Sequence, residues 1–319
     1  MRHNTDDINA QHIFVRHLPR SWWPYAALMR LDRPIGTYLG FLPALMGLNL
    51  AISYDPNASF QDWAVLFGIF FIGAWLMRSA GCIWNDWLDR DLDKTVARTK
   101  NRPIASGQVT PKNALILLAL TLLLSASLLF LLPLRVLWAA LAIVPCVLLY
   151  PMMKRWTNAP QVWLGIIFNA GIWIAWLSVH GTNQLLQPLL LYFGCIFWTL
   201  GYDTVYALQD LKDDEKSQIG SMTRLLGRAK VFGITMFYFF CCACWSILLY
   251  FDHQHHEATN FHFFNITLFI LAWLYISVMG YRWYRVYSSH QELNDIHGIF
   301  FRQNALFGLI ISCTWIAIP

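Results

Sequence analysis

The chain has 319 residues, 57% of them hydrophobic and 16% aromatic against only 13% charged, with a formal net charge of +5. That balance excludes an ordinary soluble enzyme and a disordered chain, and it points to a protein that resides in a bilayer. The positive charge is not gathered into a basic patch interleaved with aromatics, so nucleic acid is not an expected partner.

Residues 1–34 are polar or interfacial, and the first apolar run begins at Ile35, so it reads as a first span and not as a cleaved signal peptide. Within this segment SWWPYAALMRLDR, Ser21 to Arg33, predicts a short interfacial helix with aromatics at headgroup level. A hydrocarbon core about 30 Å thick needs about 20 mostly apolar residues per helix. Nine runs meet that need: 35–52, 63–84, 113–132, 135–151, 161–180, 185–207, 231–251, 264–284 and 299–318. The expected organisation is a cytoplasmic segment 1–34 followed by one transmembrane domain, 35–319. Its fold class is an all-α integral membrane bundle of about nine helices around a central polar pocket.

The loops between the runs alternate in charge. Segments 1–34, 85–112, 152–160, 208–230 and 282–298 hold 20 of the 23 Lys and Arg residues, and 53–62, 133–134, 181–184 and 252–263 hold none. Cytoplasmic loops collect Lys and Arg, so the N-terminus is expected inside and the C-terminus outside. All seven cysteines lie in apolar runs. Cys241, Cys242 and Cys244 are close enough to suggest a metal site, but without a second cluster they read better as buried, helix-filling thiols. The His-rich segment DHQHHEATNFH, Asp252 to His262, reads as a solvated outer loop in preference to a metal site.

Chemistry concentrates where two of the runs end. In GCIWNDWLDRDLDKTVARTKNRP, Gly81 to Pro103, residues Asn85, Asp89 and Asp93 are spaced i, i+4, i+8 and so share one helical face, with Asp86 beside them. In GYDTVYALQDLKDDEK, Asp210 and Asp214 again share a face, with Asp203 about two turns earlier and Asp213 adjacent. The charge alternation puts both clusters on the cytoplasmic side. Carboxylates grouped in this way have raised pKa values or need a cation, and a hard cation with oxygen ligands suits them. Acids at membrane depth are functional-site candidates by default. Two such faces can hold Mg²⁺ ions that bridge to phosphate oxygens, and Lys94, Arg98, Lys100, Arg102 and Lys212 can bind the remaining oxygens. In a lipid-embedded bundle the matching substrate is a long apolar chain with a diphosphate head, a polyprenyl diphosphate. The rival class is a secondary transporter with an acid relay, which would place isolated acids at the bilayer midplane.

The stretches NDWLDRDLD, RTKNRPIASG and YDTVYALQDLKDD closely resemble the UbiA superfamily of intramembrane aromatic prenyltransferases. RLDRPIGTYLGFLPA at Arg30 to Ala44, YPMMKRWTNAPQVWLG at Tyr150 to Gly165 and RLLG at Arg224 to Gly227 extend the match. RLDRPIGT and YDTVYALQD are similar to the branch that prenylates 4-hydroxybenzoate in ubiquinone biosynthesis, with a naphthoate or haem acceptor as the alternative within the superfamily. The resemblance implies Mg²⁺ dependence, with metal binding by Asn85, Asp89, Asp93, Asp210 and Asp214. It further implies catalysis at the four Asp residues, and it fits diphosphate contacts from Lys94, Arg98, Arg102 and Lys212. The acceptor carboxylate needs a cation, for which Arg33, Lys154 and Arg155 are the candidates near span ends. Two departures stand out: Gly220 precedes Ser221 where relatives carry Lys or Arg, and the fifth run reads GIIFNAGIWIAW around Asn169 where many relatives carry a Ser-Trp-Gly segment.

Overall fold

The computed structural model describes residues 15–96, 99–209, 220–255, 260–289 and 296–315, and among these every regular element is helical. The long helices are Ile35–Ser53, Phe60–Leu88, Pro111–Leu129, Leu134–Trp156, Leu186–Ala207, Lys230–His255, Asn260–Ser288 and Ile296–Ser312, with the broken pair Pro160–Phe168 and Gly171–Val179. Local sequence sets their starts. Thr110 caps one helix by accepting a 3.2 Å bond from the Asn113 amide, and Pro111 fills the first helical position, where no amide proton is needed. Ser59 and Asp62 form a reciprocal capping box, with the Asp62 carboxylate accepting 3.0 and 2.6 Å bonds from the Ser59 amide and hydroxyl.

Among the described residues eight spans are long and apolar enough to cross a bilayer, where the sequence led to nine. The run at 185–207 accounts for the difference. It forms the 22-residue helix Leu186–Ala207, long enough to cross, but Gln187, Tyr202 and Asp203 dilute its apolar character. Twelve of its residues, including Trp198 and Tyr202, are buried, so protein covers most of what lipid would otherwise face. A helix shielded in this way needs no apolar surface.

The chain divides into two compact units. The first comprises Met1–Tyr38 with Phe71–Leu132, and its core joins Leu28, Ala80, Ile83, Ile104, Val109, Ala114 and Leu118. The interfacial helix is shorter than expected: a 3-10 turn at Arg20–Trp22 leads into Trp23–Leu28, and Ala26, Ala27 and Leu28 face the core while Trp22 is exposed. It stops because Arg30 takes φ 60°, a left-handed conformation that a helix cannot continue through.

The second unit comprises Leu39–Phe70 with Pro133–Pro319. Its helices are joined by buried amides, because a polar group surrounded by hydrocarbon is costly unless bonded. Asn304 Oδ1 accepts from Trp198 Nε1 at 2.8 Å and from the Tyr238 hydroxyl at 2.7 Å, which ties three helices at one atom. Asn49 Nδ2 donates to the Ser312 carbonyl at 2.7 Å, and its Oδ1 accepts from Trp63 Nε1 at 2.8 Å. Asn169 sits in the break between Pro160–Phe168 and Gly171–Val179, donating to the Gly165 carbonyl at 2.7 Å and to Thr199 Oγ1 at 3.0 Å.

Candidate active site

The helix Phe60–Leu88 carries the first acidic motif out of the apolar region, and Arg90–Asp93 continues it. Backbone bonds keep the helical register through the junction: the Asp89 amide donates to the Asn85 carbonyl at 2.9 Å and the Asp93 amide to the Asp89 carbonyl at 2.8 Å. Asp89 itself, at φ −89° and ψ 3°, separates the two helices, and these two bonds carry the backbone across that break at close to helical spacing.

The strongest contacts in this motif involve Asp86, which is 1% exposed. Arg30 Nη2 donates to both of its oxygens at 2.8 and 2.9 Å, and Arg102 Nη1 donates to Oδ1 at 3.1 Å. The same Arg102 nitrogen reaches Asp93 at 3.0 and 3.3 Å. Burial pushes the Asp93 carboxyl above the usual range, against the opposing pull of the Arg102 guanidinium. Lys94 pairs with Asp91 at 2.9 Å on the exposed side, where that contact holds the Asp91 carboxyl below its usual value. Arg90 donates to the Trp87 carbonyl at 2.7 Å and stacks over the Trp87 ring.

Of the remaining expected residues, Asp203 lies near the end of Leu186–Ala207, and Asp210, Lys212, Asp213, Asp214 and Arg98 fall outside the described residues, as does the Lys154 side chain. Arg155 is exposed at the end of Leu134–Trp156. Arg33 donates to Asp32 Oδ2 at 3.1 and 3.0 Å. Gly220 has a structural reason: a Cβ there would run into the Thr157 carbonyl oxygen. A basic side chain cannot stand at a position where backbone meets backbone. The adjoining Met222 amide donates to Gln161 Oε1 at 3.0 Å, so this return segment is pinned to the YPMMKRWTNAPQ loop.

Two residues escaped the sequence reading. In the sequence Arg30 is only the first residue of RLDRPIGTYLGFLPA, and nothing local shows that it pairs with Asp86. Arg78 stands seven residues before Asn85 on the same helix, hence on nearly the same face and two turns deeper, and Gly36 makes room for it, since a Cβ there would meet Arg78 Nε at 2.9 Å. The i−7 spacing was the available signal.

The donor set suits Mg²⁺. Asn85, Asp89 and Asp93 offer hard oxygen ligands along one face, the chemistry that this ion takes through a few carboxylates while keeping waters for a bound phosphate. Among the described residues no three His, Cys, Asp or Glu side chains form a metal-holding group, so these two carboxylates and one amide need further oxygens.

A helical membrane protein with acids, guanidinium groups and an oxygen donor face at a helix end is the class defined so far. The UbiA prenyltransferase family model matches residues 40–300, and the chain belongs to that family. It is 42% identical over 210 residues to the mitochondrial 4-hydroxybenzoate polyprenyltransferase of Saccharomyces cerevisiae, covering 65% of this chain and 55% of the relative. It is 40% identical over 235 residues to the 4-hydroxybenzoate octaprenyltransferase of Shewanella oneidensis, covering 72% and 80%. The match spans about half the length of the mitochondrial relatives. Among solved structures, the apo UbiA homolog from Aeropyrum pernix K1 has a TM-score of 0.69 at 19% identity, covering 87% of this chain and 96% of that one. The UbiA homolog from Archaeoglobus fulgidus bound to GPP and Mg²⁺ has a TM-score of 0.60 at 17% identity, covering 91% and 99%. These likenesses establish the shared fold.

Proposed function

We propose that the chain transfers a polyprenyl group from a polyprenyl diphosphate to the ring carbon ortho to the hydroxyl of 4-hydroxybenzoate, a step of ubiquinone biosynthesis. The observation that carries this reading is the juxtaposition of the oxygen face Asn85–Asp89–Asp93 with Arg102 at the mouth of an apolar span. It is supported by relatives whose names specify that acceptor and by a homolog of the same fold bound to GPP and Mg²⁺.

In this reading Asn85, Asp89, Asp93, Asp210 and Asp214 would hold Mg²⁺. Bound there, the ion would offset charge developing on the departing diphosphate. Lys94, Arg98, Arg102 and Lys212 bind diphosphate oxygens, Arg in two-pronged fashion and Lys as a point charge. The apolar helices keep water away from the allylic cation formed when the diphosphate leaves. The phenol ring attacks through the carbon beside its hydroxyl, and an acidic side chain or the released diphosphate takes the ring proton. The acceptor carboxylate pairs with one of Arg33, Lys154 and Arg155, or with Arg78, which stands two turns before Asn85 on the same helix.

The test is an assay of membranes with 4-hydroxybenzoate, a polyprenyl diphosphate and Mg²⁺, followed by mass analysis. Product is expected with Mg²⁺ or Mn²⁺ and none after exhaustive chelation, and phenol should show a far lower kcat/KM because a buried cation loses its charge-assisted partner. Full turnover in chelator, or equal kcat/KM for phenol, contradicts the proposal.

We further propose that residues 35–319 act as one domain in an inner membrane, bacterial or mitochondrial, with the N-terminus on the cytoplasmic or matrix face. Single cysteines introduced at 252–263 and 85–112 should label from opposite sides, those at 85–112 from the side of the N-terminus. Labelling of both from one side would overturn this topology.

A further inference from the structure

We propose that Arg102 is a resident counter-ion of the first acidic motif, which a divalent cation displaces from Asp93 and which then turns to the diphosphate while Asp86 keeps it tethered. The inference rests on the function proposed above and assigns Asp86 and Arg30 as positioning residues.

The bonding is unequal around the cluster. Arg30 satisfies both oxygens of Asp86 at 2.8 and 2.9 Å, so Asp86 is fully engaged and is not a cation ligand. Arg30 is also anchored by a 3.0 Å bond from Nη1 to the Ala27 carbonyl, and it holds a left-handed backbone that only a well-determined surrounding keeps in place. The Arg102 contacts are weaker. Its Nη1, with two protons, serves three carboxylate oxygens at 3.0 to 3.3 Å, so at least one proton is shared between acceptors. Asp86 is held from one side regardless of Arg102, whereas the guanidinium is shared between two acids.

Charge makes the exchange favourable. The charges of Arg30, Arg102, Asp86 and Asp93 sum to zero, with both acids buried and the two guanidinium groups half-buried over them. An unpaired carboxylate there would be costly, and Arg102 offsets that cost before any ligand arrives. A divalent cation at Asp93 carries twice the charge and repels the guanidinium beside it. Arg102 then needs a new anion, and the incoming diphosphate supplies one within the swing of a side chain still held at Asp86. Cation and diphosphate thus favour each other's binding, a coupling that must be reciprocal.

The test is Mn²⁺ titration of the detergent-solubilised full chain without substrate, reading free Mn²⁺ by electron paramagnetic resonance. Arg102→Gln should bind Mn²⁺ about tenfold more tightly or better, because a neighbouring like charge has been removed. The same variant should show a raised KM for polyprenyl diphosphate. Arg102→Lys, which keeps the charge, should bind Mn²⁺ as the unaltered protein does, and Asp93→Asn should bind it more weakly. Should Arg102→Gln fail to fold, the pair Asp86→Asn with Arg102→Gln keeps the cluster neutral and should show the same gain. Unchanged or weaker Mn²⁺ binding in whichever of these charge-removing variants folds overturns the inference. Absence of prenylated product with the Mn²⁺ ranking intact would count against the proposed reaction and leave the counter-ion role standing.

Discussion

Asp89→Asn is expected to lower kcat by about 10²–10³, and Asp210→Asn by as much, since loss of one preorganised electrostatic group costs about 2.7–4 kcal/mol in comparable sites. The substitution keeps the size and removes the charge, so the loss reports charge alone. If the two residues hold cations on opposite sides of one diphosphate, they act as a unit, and the double variant should be little worse than the poorer single one. Asp62→Asn is the control. Asp62 lies in an exposed first turn, and an amide oxygen can still accept from Ser59. Steady-state kinetics in which the Asp89 and Asp210 variants match that control would remove the diphosphate site from consideration.

The largest effect on stability is expected at Asn304. Asn304→Leu keeps the branching and number of side-chain heavy atoms and strands Trp198 Nε1 and the Tyr238 hydroxyl in an apolar interior, at about 1–3 kcal/mol for each stranded group. Tyr238→Phe removes only one donor and leaves Asn304 Oδ1 bonded to Trp198, so its cost should be clearly smaller. Thermal unfolding in detergent distinguishes them. An Asn304→Leu midpoint equal to or above that of Tyr238→Phe would mean that this amide does not hold the three helices together.

Features that depend on short spacing were readable from the sequence. Apolar runs of bilayer length located the long helices, and the i, i+4, i+8 spacing of Asn85, Asp89 and Asp93 survives in the backbone bonds. Apolarity alone does not distinguish a helix wrapped in protein, such as Leu186–Ala207 with its buried Trp198 and Tyr202, from one that faces lipid. Pairings across long separations were also hidden. Arg30 meets Asp86 across 56 residues and Trp198 meets Asn304 across 106, and no local pattern names such partners. The interfacial helix was overextended for a related reason. Propensity carries it to Arg33, and the left-handed turn at Arg30 belongs to the fold that grips Asp86.

The bonds of Asn49 bear on the order in which the molecule is built. Its Oδ1 partner, Trp63, emerges 14 residues later, but its Nδ2 partner, the Ser312 carbonyl, lies 263 residues along the chain. Contacts so distant in sequence close late, after the loop entropy between them has been overcome. During synthesis the helix Ile35–Ser53 therefore waits in the membrane with one amide group unmatched, while every intervening helix is made. A chain truncated before Ile296–Ser312 is expected to keep that amide unmatched.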